Sequence, residues 1–290
     1  MFLLFNIFDK LEEILKGWVT DGIQVNLESM FVDINDKVNT IATDVGQTPM
    51  GWNKEVYNFI KSINDDVIIP IAGLIITAVL CIELIQMVMQ RNNMQDADSF
   101  ELYKYIIKAF VAVYLASHAF EFSMAAFDVA QTLVNKAAGV VTTSASISQG
   151  QISLMMETLS DKGVMELILI LLETSLVKFA IQVITILITI IVYGRMFEIY
   201  VYSSVSAIPF STMGNKEWGQ IGTNYIKGLF ALGLQGLFLM ICLGIYSVLI
   251  RTIQITDIHA GLFGVLTYAV LLGVMMFKSG SISKSVMNAN

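Results

Sequence analysis

Residues 193–246 read YGRMFEIYVYSSVSAIPFSTMGNKEWGQIGTNYIKGLFALGLQGLFLMICLGIY, two long apolar segments joined by a short polar one. A semi-apolar run ends at Pro209 and Phe210, a short polar turn follows over Asn215, Lys216 and Glu217, and a glycine-spaced apolar segment begins after Trp218. The turn is too short to be a domain, and the apolar material on both sides is too long to be ordinary core. The stretch therefore reads as a membrane hairpin. Pro209 removes a backbone donor and ends the helix before it, while Trp218 suits the aromatic belt at a headgroup boundary.

Composition extends that reading to the whole chain. Of the 290 residues 56% are hydrophobic and only 14% charged, with a mean hydropathy of +0.70, far more apolar than a soluble domain. The net charge of −7 is concentrated at the start, where residues 1–66 carry most of the acidic excess. No basic nucleic-acid surface is implied. Cys81 and Cys242 both lie in apolar runs without a CxxC pattern, so zinc, redox and disulfide chemistry have no support. Nor is there a Ser/His/Asp arrangement, a metal cluster or a phosphate-cradling glycine loop, so no catalytic, metal or cofactor site is expected.

The first 66 residues read as amphipathic helix. The opening FLLFNIF lacks a basic flank and runs into Asp9, Glu12 and Glu13, which argues against a cleaved signal peptide. Leu4, Phe8, Leu11, Ile14, Leu15 and Trp18 recur at three- and four-residue steps. The stepping continues through Ile23, Leu27, Met30, Phe31, Ile34, Val38, Ile41 and Val45 until Gly46-Gln47-Thr48-Pro49 breaks it. It resumes with Trp52, Val56, Phe59, Ile60, Ile63 and Val67. Such helices must bury one stripe on each other, on the membrane surface or on a neighbouring subunit.

Apolar runs follow over 67–90, 103–122, 164–193, 226–250 and 262–277. Each approaches or exceeds the roughly 20 residues needed to cross a bilayer. The second is interrupted by Lys104, Lys108, His118 and Glu121 and should face other helices. Residues 196–213, rich in Tyr and Ser and containing Pro209, read as a re-entrant or interfacial helix. The fold class is all-α: about five transmembrane helices, one re-entrant or interfacial helix and an amphipathic helical N-terminal region. The expected organisation is an extracytoplasmic region 1–66, two spans over 67–125, a semi-apolar extracytoplasmic loop over 126–163 and a membrane bundle over 164–290. With the N-terminus outside, Arg91, Lys104, Lys108, Arg195, Lys216, Lys227, Lys278 and Lys284 fall on the inner side, against Lys136, Lys162 and Arg251 on the outer. That bias agrees with the positive-inside rule.

Ionisable groups inside the spans are the chemical candidates. Glu83, Glu173 and Lys178 should face protein or water, and Lys178 could pair with Glu83 or Glu173 or line a pathway. His118 and Glu121 share a helix face and could form a proton relay or a simple hydrogen-bonded pair. Gly228, Gly233 and Gly236 allow close backbone approach, and Gln235 needs a polar partner in hydrocarbon. Together with Pro209, Phe210 and Trp218 they are expected to build an interface between protomers. An ion-coupled secondary transporter or ion channel is the alternative these residues raise, although no internal repeat supports it.

The run AIPFSTMGNKEWGQIGTNYIKGLFALGLQGLFLMICLGIY, residues 207–246, resembles the hairpin of TrbL-like conjugal transfer proteins in the version found in Gram-positive integrative and conjugative elements. The ending FKSGSISKSVMNAN is similar too. The likeness extends, with the order of apolar segments, from about residue 67 to the C-terminus. It implies a polytopic, non-catalytic subunit of a type IV secretion channel, of the VirB-six class, in the bacterial cytoplasmic membrane. Implied partners are further copies of itself, motor ATPases, a bitopic scaffold, the coupling protein, membrane lipid and the translocated DNA. In pilus-making systems a role in pilus assembly is implied as well.

Overall fold

The computed structural model describes residues 2–89, 99–142, 149–253 and 257–289. Arg91 and the centre of the 139–150 segment lie outside them, as do the side chains of Leu4, Phe8 and Ile34. All regular structure among the described residues is helical. Helix α1 (Phe2–Val45) stops where the sequence loses its periodicity. Thr48 then caps α2 (Pro49–Trp52), its hydroxyl accepting from the Gly51 N–H at 3.0 Å, with Pro49 at the position where a missing donor costs nothing. Asn53 caps α3 (Lys54–Ile63), its side-chain oxygen accepting from Glu55 and Val56 N–H at 3.0 Å each.

A π-helical turn, Asn64–Ile68, joins α3 to α4 (Ile69–Met89). Pro70 cannot donate to the carbonyl four residues back, and the wider turn accommodates that lost bond. Lys54–Met89 thus forms one helical run of 36 residues, with residue 66 inside it and not at a break.

The span expected over 103–122 is instead a bent pair. Helix α5 (Ser99–Ser117) and α6 (Ala119–Thr142) meet at His118, with the arms Leu102–Ser117 and Ala119–Val140 turned by 70°. Side chains compete for carbonyls at the bend: Ser117 Oγ donates to Val113 O at 2.8 Å, and His118 Nδ1 lies 3.1 Å from Tyr114 O. Such back-bonding bends helices. After α7 (Gln149–Glu157), α8 runs unbroken for 41 residues, Val164–Ser204. The separate helix expected over 196–213 is therefore, up to Ser204, the end of α8; only α9 (Ala207–Ser211) and a 3-10 turn, Thr212–Gly214, follow the break. Helix α10 (Gly219–Arg251) and α11 (Ile258–Met287) complete the chain. Helix α11 continues past residue 277, where the apolar run ends, to Met287, with Ser279 and Ser283 buried.

Four helical runs are long and apolar enough to cross a membrane, and the bent pair makes a fifth if it counts as one span. The protein is an all-α polytopic membrane protein. The chain forms two compact units: Met1–Val45, Lys136–Val192 and Leu239–Lys278 make the first, and Gly46–Asn135, Tyr193–Phe238 and Ser279–Asn290 the second. The core of the second gathers Ile76, Ala112, Phe120, Phe127, Ile199, Phe210, Tyr225 and Leu232. The first buries Ile23, Leu27, Met30, Val38, Ile41 and Val45 of α1, the stripe its periodicity marks.

Candidate functional site

The hairpin of the second unit is held from its turn outward. Asn215 is buried and uses both ends of its side chain. Its oxygen accepts from the N–H groups of Glu217 at 2.8 Å and Trp218 at 3.2 Å, closing the turn into α10. Its nitrogen donates to Glu83 Oε2 at 2.9 Å. Glu83 also accepts from Lys108 Nζ at 2.5 Å, so a carboxylate of α4 joins α5 and the turn. Behind the turn, Phe210 is buried edge-on against Tyr225, with ring centroids 5.8 Å apart. Pro209 is buried as well, and its carbonyl approaches Gly222 so closely that a Cβ there would lie 2.7 Å from the oxygen. Only glycine permits that approach. Trp218 stays partly exposed.

A second polar junction closes the C-terminal end of α8, where four carbonyls lack helical partners. Each finds one. Val201 O accepts from Ser204 Oγ at 2.7 Å, Tyr202 O from the Tyr225 hydroxyl at 2.7 Å, Ser203 O from Ser206 N at 3.2 Å, and Ser204 O from Asn64 Nδ2 at 3.0 Å. Asn64 Nδ2 also lies 3.3 Å from Ser206 Oγ. The Tyr202 and Tyr225 rings stack at 4.5 Å with 2° between their planes. Residues far apart in the chain thus cap one helix end inside an apolar bundle, where uncapped carbonyls are costly. Neither Asn64 nor Asn215 carries a sequence signal for this role beyond being polar beside an apolar run.

The singled-out charges find partners other than those expected. In place of pairing with Lys178, Glu173 lies 2.5 Å from His259 Nδ1 of α11, and Lys178 Nζ reaches Asn26 Oδ1 at 3.5 Å. Glu83 is engaged by Lys108 and Asn215. His118 stacks on Tyr114 at 4.4 Å, while Glu121 accepts from Lys61 Nζ at 2.7 Å, so the two are not joined as a relay. Outside the spans, the Ala260 N–H donated to Asp257 Oδ1 at 2.9 Å holds that carboxyl below its usual range and caps α11.

The glycines expected between protomers are covered within the chain. A Cβ on Gly228 would lie 2.2 Å from the Tyr202 hydroxyl oxygen, one on Gly233 2.8 Å from Ala130 Cβ, and one on Gly236 2.7 Å from an Arg195 guanidinium nitrogen. Arg195 is buried there, its Nε donating to Leu232 O at 3.2 Å. Gln235 Nε2 meets Ser279 Oγ at 3.5 Å on α11. A small residue marks a close approach but does not name the partner.

These side chains brace helices against one another. A family model described as TrbL/VirB6 plasmid conjugal transfer like protein matches residues 34–207, more than half of the chain. The chain belongs to this family. Membership makes the TrbL/VirB6-like chain a conjugal transfer component, of the kind associated with type IV secretion subunits. The matched stretch takes in the last quarter of α1, all of α8 and Asn64 with it, and ends at Ala207, before Tyr225 and the turn at Asn215. No curated protein and no solved structure matches.

Proposed function

We propose that this protein is a structural subunit of the conjugative secretion channel in the bacterial cytoplasmic membrane, supporting DNA transfer and, where a pilus is made, its assembly. One observation carries the reading beyond the family. Of the ionisable groups singled out at span depth, Glu83, Glu121, Glu173 and Lys178 are each engaged by another side chain of the same unit, one Glu173 oxygen staying without a partner, and His118 stacks on Tyr114. Groups committed to bracing suit a platform; an ion-coupled transporter needs groups that exchange partners with solvent. Further copies of the chain, motor ATPases, a bitopic scaffold and the coupling protein are the partners proposed. The orientation proposed places Asn215 and the C-terminus on the cytoplasmic side and residues 126–163 outside, in keeping with the lysine and arginine bias.

The test is a clean deletion complemented with parent or with Lys178→Met. DNA transfer frequency and co-purification of the coupling protein are measured, with proton flux recorded on the purified protein in vesicles. Loss of transfer on deletion, with impaired assembly for Lys178→Met, is expected. Normal transfer without the gene, or proton-driven solute flux through fully assembled protein, overturns the reading. Labelling of a cysteine near the C-terminus by an impermeant reagent in intact cells overturns the orientation.

A further inference from the structure

Helix α1 packs lengthwise on residues 171–188 of α8. Gly22 meets Leu171, Asn26 bonds Ser175 at 3.0 Å and Thr174 at 3.4 Å, and Val38 and Ile41 share a small cavity with Ile181, Ile184 and Ile188. Tyr246 of α10 and Leu272 of α11 complete that cavity, so α1 lies on three helices that each run through a candidate span. At the same level the bundle makes opposite demands on its surroundings. On α8, Leu172, Leu176, Phe179, Ile186 and Ile190 are exposed. Ile184, which touches the α1 cavity, also lines a groove of about 440 Å³ with Val270, Val274 and Phe277 on α11. That surface is hydrocarbon throughout and suits lipid.

The outer face of α1 is the reverse. Glu28, Asp36, Asn39, Thr40 and Thr43 are exposed, with Asp33, Lys37 and Asp44 half-buried beside them and Val32 the exposed apolar side chain among them. Carboxylates at span depth turn toward water or protein, not acyl chains. We propose that the outer face of α1, from Glu28 to Thr43, borders an aqueous passage through the membrane, with the α8 and α11 faces of the same unit held in lipid. Its acidic bias suits water and cations. The helix is too polar to register as a span, yet it belongs at span depth because its apolar stripe is buried on helices that do. This replaces, for residues 28–43, the extracytoplasmic placement expected of the N-terminal region. It rests on the membrane reading of the helices and not on the secretion role.

The test places single nitroxide labels on the full chain in oligomeric form, reconstituted into phosphatidylethanolamine and phosphatidylglycerol vesicles, with Cys81 and Cys242 removed. Labels replace Glu28, Asp36 or Thr40 on α1, and Leu176, Phe179 or Ile186 on α8; all six are exposed, so folding is not at stake. Collision with a water-soluble nickel chelate is compared with collision with oxygen, which concentrates in lipid. The nickel-to-oxygen ratio should be several-fold higher along α1 than along α8. Oxygen-dominated α1 labels would place that face in lipid, and α1 labels shielded from both would place it against protein; either result overturns the proposal. Nickel-dominated labels on α8 would instead overturn the membrane reading beneath it.

Discussion

Gly233 offers a direct test of where the glycine face of α10 is used. A Cβ added there would sit 2.8 Å from Ala130 Cβ, with Phe127 4.0 Å away. Carbon pairs settle near 3.5–4.0 Å, so Gly233→Ala requires α6 and α10 to separate by about 1 Å. The obstructing atom is bonded directly to the backbone of α6, so no side-chain rotation relieves the clash. Overpacking of this kind costs about 1–3 kcal/mol, against a gain of about 1 kcal/mol from the better helix propensity of Ala. The net effect is a loss of up to about 2 kcal/mol in the monomer itself, and a larger one for Gly233→Leu. The assay is thermal unfolding in detergent of Gly233→Ala, Ala130→Gly and the double variant. Removing the Ala130 methyl restores the missing space, so the penalty at Gly233 should vanish in the Ala130→Gly background. If Gly233→Ala leaves the monomer unchanged while the complex falls apart, or if Ala130→Gly gives no rescue, the intrachain assignment is wrong and the face belongs between protomers.

Replacing Glu83 with Gln weakens its bond to Lys108 and the tie to Asn215; a loss of about 1–3 kcal/mol is expected in chemical denaturation, and a double-mutant cycle with Lys108→Met should show coupling between the two. Tyr225→Phe leaves Tyr202 O without its cap and should cost about 1–3 kcal/mol, whereas Tyr103→Phe, on an exposed ring, should be neutral by the same measurement. At Asp257 the folded carboxyl titrates below its unfolded value, so its capping contribution is present above the unfolded pKa, about 4, and disappears as pH falls through the folded one. Asp257→Ala should therefore lower the melting temperature at neutral pH and match the parent in strong acid; an equal deficit at both would refute the cap.

Local chemistry wrote the first element boundary of this chain. The break after Val45 needed only Gly46, the Thr48 hydroxyl and Pro49, all within reach of the backbone they interrupt, and the apolar runs declared their bilayer through length alone. The buried stripe of α1 was equally legible, because helical periodicity reports which face is hidden. The bend at His118 was not, since it turns on side chains competing with the backbone for the Val113 and Tyr114 carbonyls. Nor were the partners: Glu83 with Lys108 and Asn215, Glu173 with His259, Asn64 with the end of α8, and Gly236 with Arg195 join segments whose separation along the chain carries no pattern. A sequence states what each side chain requires, a counter-charge, a donor or an open space. Which group supplies it is decided only when helices pack, because that choice depends on distances across the bundle that no local spacing encodes.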